Sequence, residues 1–275
     1  MERSGRSSLK QILPSFLWTP ARSVYHAFYP AILKAQCAYL DWKTRGQELD
    51  PPLPPAMLRF RVGESLDAAE FLHVGRETAR LLCQTWAELG VELAPDLNVL
   101  DFGCGCARTL RWLVKEHPQV HWTGCDVDAE AIDWCRQHLP GYRFEVNPPM
   151  PPAPFPDASF DVLYGISVFT HLDETAQRAW LPEFHRLLRP GGMALLSFHS
   201  ESVWRGREDA ARIAAGEFVF ERSRKLRGVL PDWYHTAFQS RARIETLLLE
   251  TFGEVRYFEG RLGAHDLAVG IRTRD

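Results

Sequence analysis

At 275 residues, with 45% hydrophobic and 24% charged residues, the chain is long enough for one complete α/β domain and a smaller appendage. Its formal net charge of −3 removes any global electrostatic case for nucleic-acid binding, and no apolar run approaches the roughly 20 residues that span a bilayer. The opening segment holds Glu2, Arg3, Arg6 and Lys10 with no apolar core and small-residue cleavage site behind them, a pattern that reads as cytoplasmic.

Residues 1–55 form an aromatic extension, with Phe16, Trp18, Tyr25, Phe28, Tyr29, Tyr39 and Trp42, expected to pack on the domain or to stay loose. Ile32, Leu33, Cys37 and Leu40 recur near helical spacing and predict a helix from about Pro30 to Arg45. Pro51, Pro52, Pro54 and Pro55 then make an extended linker. Residues 56–95 read as a helical cap. Its helix is expected over 67–90, where Phe71, Val74, Leu81, Leu82, Trp86 and Leu89 share one face and Gly90 suits the end.

From residue 96 to 275 a regular alternation predicts one domain. Strands are expected at 98–102, 120–125, 142–146, 160–166 and 193–198, with helices at 107–117, 129–138 and 174–188. Pro182 should kink the last of these or open a new helix, and Arg189-Pro190-Gly191-Gly192 should stop it. A helix over 241–252 and strands at 254–259 and 266–272 close the chain. Such alternation implies an α/β, doubly wound, mostly parallel sheet. Residues 200–240 interrupt it and read as a substrate-covering insertion. Arg222, Arg224, Lys225 and Arg227 there fit either a solvated face or a contact with a phosphate or carboxylate on a substrate.

The chemistry concentrates at Val99-Leu100-Asp101-Phe102-Gly103-Cys104-Gly105-Cys106-Ala107-Arg108, a glycine turn between a strand and a helix. Glycine lets backbone approach a ligand closely. A dinucleotide fingerprint wants a third glycine where Arg108 stands, which disfavours a nicotinamide oxidoreductase. The six cysteines (Cys37, Cys83, Cys104, Cys106, Cys125 and Cys135) include no C-x-x-C pair. A lone C-x-C lacks the ligands of a structural zinc, so no disulfide framework and no metal is expected.

The run from Asp101 to Ala107 resembles the first motif of the class I, Rossmann-like, S-adenosylmethionine-dependent methyltransferases, acidic-x-G-x-G-x-G, with Ala107 at the third glycine. Gly124-Cys125-Asp126-Val127-Asp128 resembles the end of the family's second strand. Pro154 to Tyr164 resembles the entry to its fourth strand, Ser167 to Leu172 the loop that follows, and Leu187 to Gly192 the turn into its fifth. Arg59 to Gly63 extends the likeness upstream more loosely. The resemblance implies a seven-stranded sheet with an N-terminal helical extension. It also implies S-adenosylmethionine as cofactor, held by Asp101, Phe102, Gly103, Cys104, Gly105, Asp126, Val127, Asn147 and Ser167. Asp126 would take the ribose hydroxyls, since a carboxylate can accept two such bonds, and Asp128 should cap the next helix. Asn147-Pro148-Pro149-Met150 is similar to an amine-methylation motif but precedes the fourth strand and lacks the aromatic, so it reads as a stiff loop.

A hydroxyl acceptor needs a base near neutral pH, and His171, His199 and His235 stand at strand ends or in the insertion. His171 is the first choice. His265-Asp266 reads as structural. The expected function is methyl transfer to an oxygen of a small molecule, with a sugar hydroxyl or an anionic conjugate as the first expectation. A non-catalytic binding protein on the same scaffold is the rival from another class.

Overall fold

The computed structural model describes residues 18–46, 49–222 and 235–274. Helices α1 (Trp18–Lys43), α2 (Ala56–Gly63) and α3 (Ala68–Glu88) precede β1 (Asn98–Phe102). Strand and helix then alternate through α4 (Leu110–Glu116), β2 (His121–Asp126), α5 (Ala129–His138), β3 (Arg143–Val146), β4 (Phe160–Gly165), α6 (Glu174–Leu187) and β5 (Leu188–His199). Short helices α7 (Glu201–Trp204) and α8 (Ala210–Ala214) lead to the small strands β6 (Val219–Glu221) and β7 (Thr236–Phe238). Finally α9 (Arg241–Leu249), β8 (Glu254–Leu262) and β9 (His265–Ile271) complete the main sheet.

That sheet has seven strands in the order β3-β2-β1-β4-β5-β9-β8. The first five run parallel, and β9 lies antiparallel to both β5 and β8. Successive residues of a strand face opposite sides, and the sequence fills both sides with apolar groups. Val99, Tyr164 and Leu195 join Leu82, Trp86 and Leu110 on one face. Leu100, Leu163 and Leu196 join Trp180, Phe184 and Leu248 on the other. A parallel sheet needs both faces covered. Here α3, α4 and α5 cover one and α6 and α9 the other.

Most expected bounds shift by a few residues, and four departures stand out. Helix α1 is already formed at Trp18, ahead of the expected start, and runs through Pro30. Helix α4 begins at Leu110 because Ala107 sits at φ +58°, outside the helical region. Helix α6 runs unbroken through Pro182, with Trp180, Leu181, Phe184 and Leu187 buried on both sides of it; that packing outweighs the missing backbone bond. Strand β5 starts at Leu188, which pairs with Phe160 before the register shifts. A Cβ on Gly192 would lie 2.8 Å from the Asp161 carbonyl oxygen, so only glycine lets the chain pass there.

Between β5 and α9, Trp204, Ile213, Val219 and Phe238 form a separate small apolar cluster. Arg222 is exposed. Arg224, Lys225, Arg227, Trp233 and Tyr234 lie outside the described residues, as does Phe16 in the N-terminal segment.

Candidate active site

Strand order reverses between β1 and β4, and in an open parallel sheet ligands sit outside the carboxyl ends of the strands at such a switch point. A cavity of about 210 Å³ lies at that place. It gathers Asp101, Phe102, Gly103, Cys104 and Gly105 from the end of β1, and Asp126 and Val127 from the end of β2. Asn147 comes from the end of β3, and Ser167 and His171 from the segment after β4.

The turn after β1 is fixed from both sides. The amides of Gly103 and Cys104 donate to the Cys125 carbonyl at 2.8 and 3.0 Å. Gly103 stands at φ +76° and Gly105 at φ +51°. A Cβ on Gly103 would meet Val168 Cγ2 at 2.3 Å, and one on Gly105 would meet Val62 Cγ2 at 2.6 Å. The third position of the motif also needs positive φ. Ala107 meets that need at +58° and fully buried, a conformation that costs an alanine roughly 1–2 kcal/mol. Burial pushes the thiols of Cys104 and Cys106 well up, so both stay protonated.

Asp126 both builds and faces the site. One carboxylate oxygen accepts from the Gly105 amide and the other from the Asp128 amide, each at 2.8 Å. Each oxygen retains a lone pair for a further donor. Burial raises its pKa, and the backbone amides pull the other way. Asp101 is buried deeper, and burial pushes its carboxyl up to about 7 against the opposing pull of the Tyr164 hydroxyl. Asp128 caps α5, accepting from the amides of Glu130 and Ala131, and Arg61 of α2 bridges to Asp128 and Glu130 at 3.0 and 2.8 Å. These ion pairs link α2 to the start of α5 beside the cavity.

Asn147 is 3% exposed. Its amide nitrogen donates to the Pro148 carbonyl at 2.8 Å, while its Oδ1 is buried with no hydrogen-bond partner among the described residues. A buried orphaned acceptor costs about 1–3 kcal/mol, so this oxygen is poised for a donor from a ligand.

Of the three histidines, only His171 lines the cavity. Its Nδ1 lies 2.6 Å from the His235 carbonyl. Only a protonated Nδ1 can bond a carbonyl, so the neutral ring carries its lone pair on Nε2. Burial lowers its pKa below the ordinary value. His199 lies behind, with Nδ1 3.0 Å from the Ala237 carbonyl, and burial lowers its pKa too. His235 contributes its carbonyl, its ring standing edge-on to Phe220.

Sequence reasoning missed several residues of the site. Leu58, Arg61 and Val62 of α2, Arg108 and Tyr164 all line the cavity. The segment from Arg59 to Gly63 carried a signal, since it extended the family likeness upstream. His265, read as structural, lies with Nδ1 3.3 Å from the Ser167 hydroxyl and its ring 5.1 Å from that of His199. The Ser167 amide donates to Ser197 Oγ at 2.7 Å, and Ser167 itself sits at φ +59°. Its strained backbone thus forms part of the cavity wall.

A methyltransferase-domain family matches residues 99–192. The chain is 26% identical over 194 residues to the 2-methyl-6-phytyl-1,4-hydroquinone methyltransferase of Synechocystis sp., covering 70% of this chain and 52% of that protein. It is 29% identical over 152 residues to the fatty-acid O-methyltransferase of Mycolicibacterium smegmatis, covering 54% and 49%. The chain thus spans about half the length of these curated relatives. Among solved structures, a SAM-dependent methyltransferase from Methanosarcina mazei superposes with a TM-score of 0.50 at 20% identity, covering 66% of this chain and 94% of that one. That likeness speaks to the fold.

Proposed function

We propose, from a chain that belongs to the class I, Rossmann-like, S-adenosylmethionine-dependent methyltransferase family, an enzyme that methylates an oxygen of a small molecule. The observation that carries the reading is the orphaned Asn147 Oδ1 in the same cavity as the Asp126 carboxylate and the close-approach glycines. A nucleoside needs such a set: an acceptor for a base amine, a carboxylate for the two ribose hydroxyls, and backbone without side chains in between.

When bound, S-adenosylmethionine supplies a methyl group on a positively charged sulfur, already activated for displacement. Gly103, Gly105, Phe102, Cys104 and Val127 would form the wall against it, Asp126 would hold the ribose and Asn147 the base. Asp101 and Ser167 would border the amino-acid end. Ionised Asp101 would favour a cationic ligand, and its carboxyl is ionised chiefly above about pH 7. The remaining work is alignment and exclusion of water, for which Val62, Ile166, Val168 and Leu172 give apolar walls.

His171 is the proposed base. Held by the His235 carbonyl in the tautomer with its lone pair on Nε2, and kept neutral by burial, it can take a proton from an acceptor hydroxyl. His199 meets the Ala237 carbonyl of β7, close along the chain to the His235 carbonyl that holds His171, and His265 meets the Ser167 hydroxyl. The apolar walls favour a hydroxyl or carboxyl on a largely apolar molecule over a bare sugar. The two relatives named for a hydroquinone and a fatty acid point the same way. From the described part of the 200–240 segment, the His235 carbonyl reaches His171, and that contact supports a role for this part of the segment beside the acceptor.

Incubation with methyl-labelled S-adenosylmethionine and a panel of phenols, fatty acids, nucleotide sugars and lipid-linked sugars tests the reading. Transfer to a hydroxyl or carboxyl acceptor, lost in His171→Ala, is expected. Tight cofactor binding with no transfer to any of these would favour the rival scaffold protein.

A further inference from the structure

Helix α1 carries two apolar faces, and the fold uses one. Leu33 and Cys37 are buried against Ala56 and Phe60 of α2, with Tyr29 and Leu40 packed beside them. At about 100° per residue, Phe28, Ile32, Tyr39 and Trp42 fall within about 40° of one line on the opposite side. These four are exposed by 61%, 46%, 58% and 64%. Single exposed apolar residues are ordinary; four aligned on one helix, three of them aromatic, are not. The Tyr39 and Trp42 rings lie 6.0 Å apart.

The exposed charges between residues 28 and 46 have one sign. Lys34, Lys43 and Arg45 are exposed between residues 28 and 46. The one carboxylate in that stretch, Asp41, is turned inward and accepts from the Ala56 amide at 2.7 Å. An aromatic-rich apolar face flanked by exposed cations is complementary to the headgroup region of an anionic bilayer, where Trp and Tyr settle and each cation gains from the surface potential. No helix among the described residues is long and apolar enough to cross a membrane, so the fit is to the surface.

We propose that the exposed face of α1 docks the protein on an anionic lipid surface. The placement has a consequence for the site. The α2 helix that α1 packs on also lines the cavity through Leu58, Arg61 and Val62. Docking would therefore set the cavity one helix layer from the bilayer. The proposal stands independently of which molecule is methylated.

Co-sedimentation of the full chain with phosphatidylcholine vesicles, with and without phosphatidylglycerol, tests it. Binding to the phosphatidylglycerol vesicles is expected, weakening as salt rises. A variant with Phe28→Ser, Ile32→Ser, Tyr39→Ser and Trp42→Ser should lose at least about tenfold in partitioning. Its S-adenosylmethionine affinity should be unchanged, which shows that it folds. Lys34→Glu with Lys43→Glu should abolish the preference for anionic lipid while leaving the stripe intact. Equal partitioning of the four-serine variant and the parent, or binding to neither vesicle, would overturn the proposal. So would a concentration-dependent dimer that the four-serine variant dissolves, since the stripe would then be a protein–protein face.

Discussion

Replacing Gly103 by alanine sets two separable effects against each other. At φ +76° an alanine costs roughly 1–2 kcal/mol, and a more restricted unfolded chain returns about 0.4–1 kcal/mol. The new methyl would also sit 2.3 Å from Val168 Cγ2, a distance that forces Val168 to move and adds about 1–3 kcal/mol of overpacking. Gly90 provides a matched control, since it stands at φ +75° with nothing within 4 Å of a built Cβ. Gly90→Ala should therefore cost only the backbone part. Denaturant unfolding of Gly103→Ala, Val168→Ala and the double variant should give a coupling of about 1–3 kcal/mol in favour of the double, because shortening Val168 removes the overlap. Additive effects within about 0.5 kcal/mol, or equal losses at Gly90 and Gly103, would refute the close approach of the two loops that wall the cavity.

The remaining predictions concern charge and strain. Ala107→Gly should be neutral or stabilising by up to about 1 kcal/mol in thermal or denaturant unfolding, since relief of positive φ opposes the added chain entropy. The pKa of His171 is lowered, so kcat should fall as pH drops below the ordinary histidine range, and His171→Gln should lose that limb and about 10²–10⁴-fold in rate. Burial holds the pKa of His265 down to about 4, so the unfolded chain binds the extra proton first as pH falls below 6.5. The His265 contribution to stability is present above pH 6.5 and lost towards pH 4. The raised carboxyls of Asp101 and Asp126 act in the opposite sense, so the measurement is the melting-temperature difference between parent and His265→Gln, which should grow from pH 5 to pH 7.

The alternation of apolar strands and amphipathic helices made the sheet legible, because both faces of β1, β4 and β5 must be buried. Strands β1 and helix α5 fall on their expected bounds. The site residues at the ends of β1, β2 and β3 were legible for the same reason: topology puts those ends at the switch point. What the sequence hid depends on contacts between distant segments. Val62 and Arg61 reach the cavity through contacts far apart in the chain: Leu58 of α2 is buried in the main core, and Arg61 pairs with Asp128 and Glu130, 67 and 69 residues away. His265 reaches Ser167 across 98 residues because β9 pairs with β5 in a register that sets His265 opposite His199. The strain at Ala107 was visible only as a question about φ, which no local pattern answers for an alanine.

The glycine turn, Asp126 and Asn147 together would make a nucleoside site. Isothermal titration of the full chain with S-adenosylmethionine, and with NAD as control, tests it most directly. One site of micromolar-range affinity is expected for S-adenosylmethionine and none for NAD, with Asp126→Asn weakening binding by about 1–3 kcal/mol and Asn147→Ala by about 1 kcal/mol. Absence of S-adenosylmethionine binding by the folded parent, or an affinity that neither substitution changes, would contradict it.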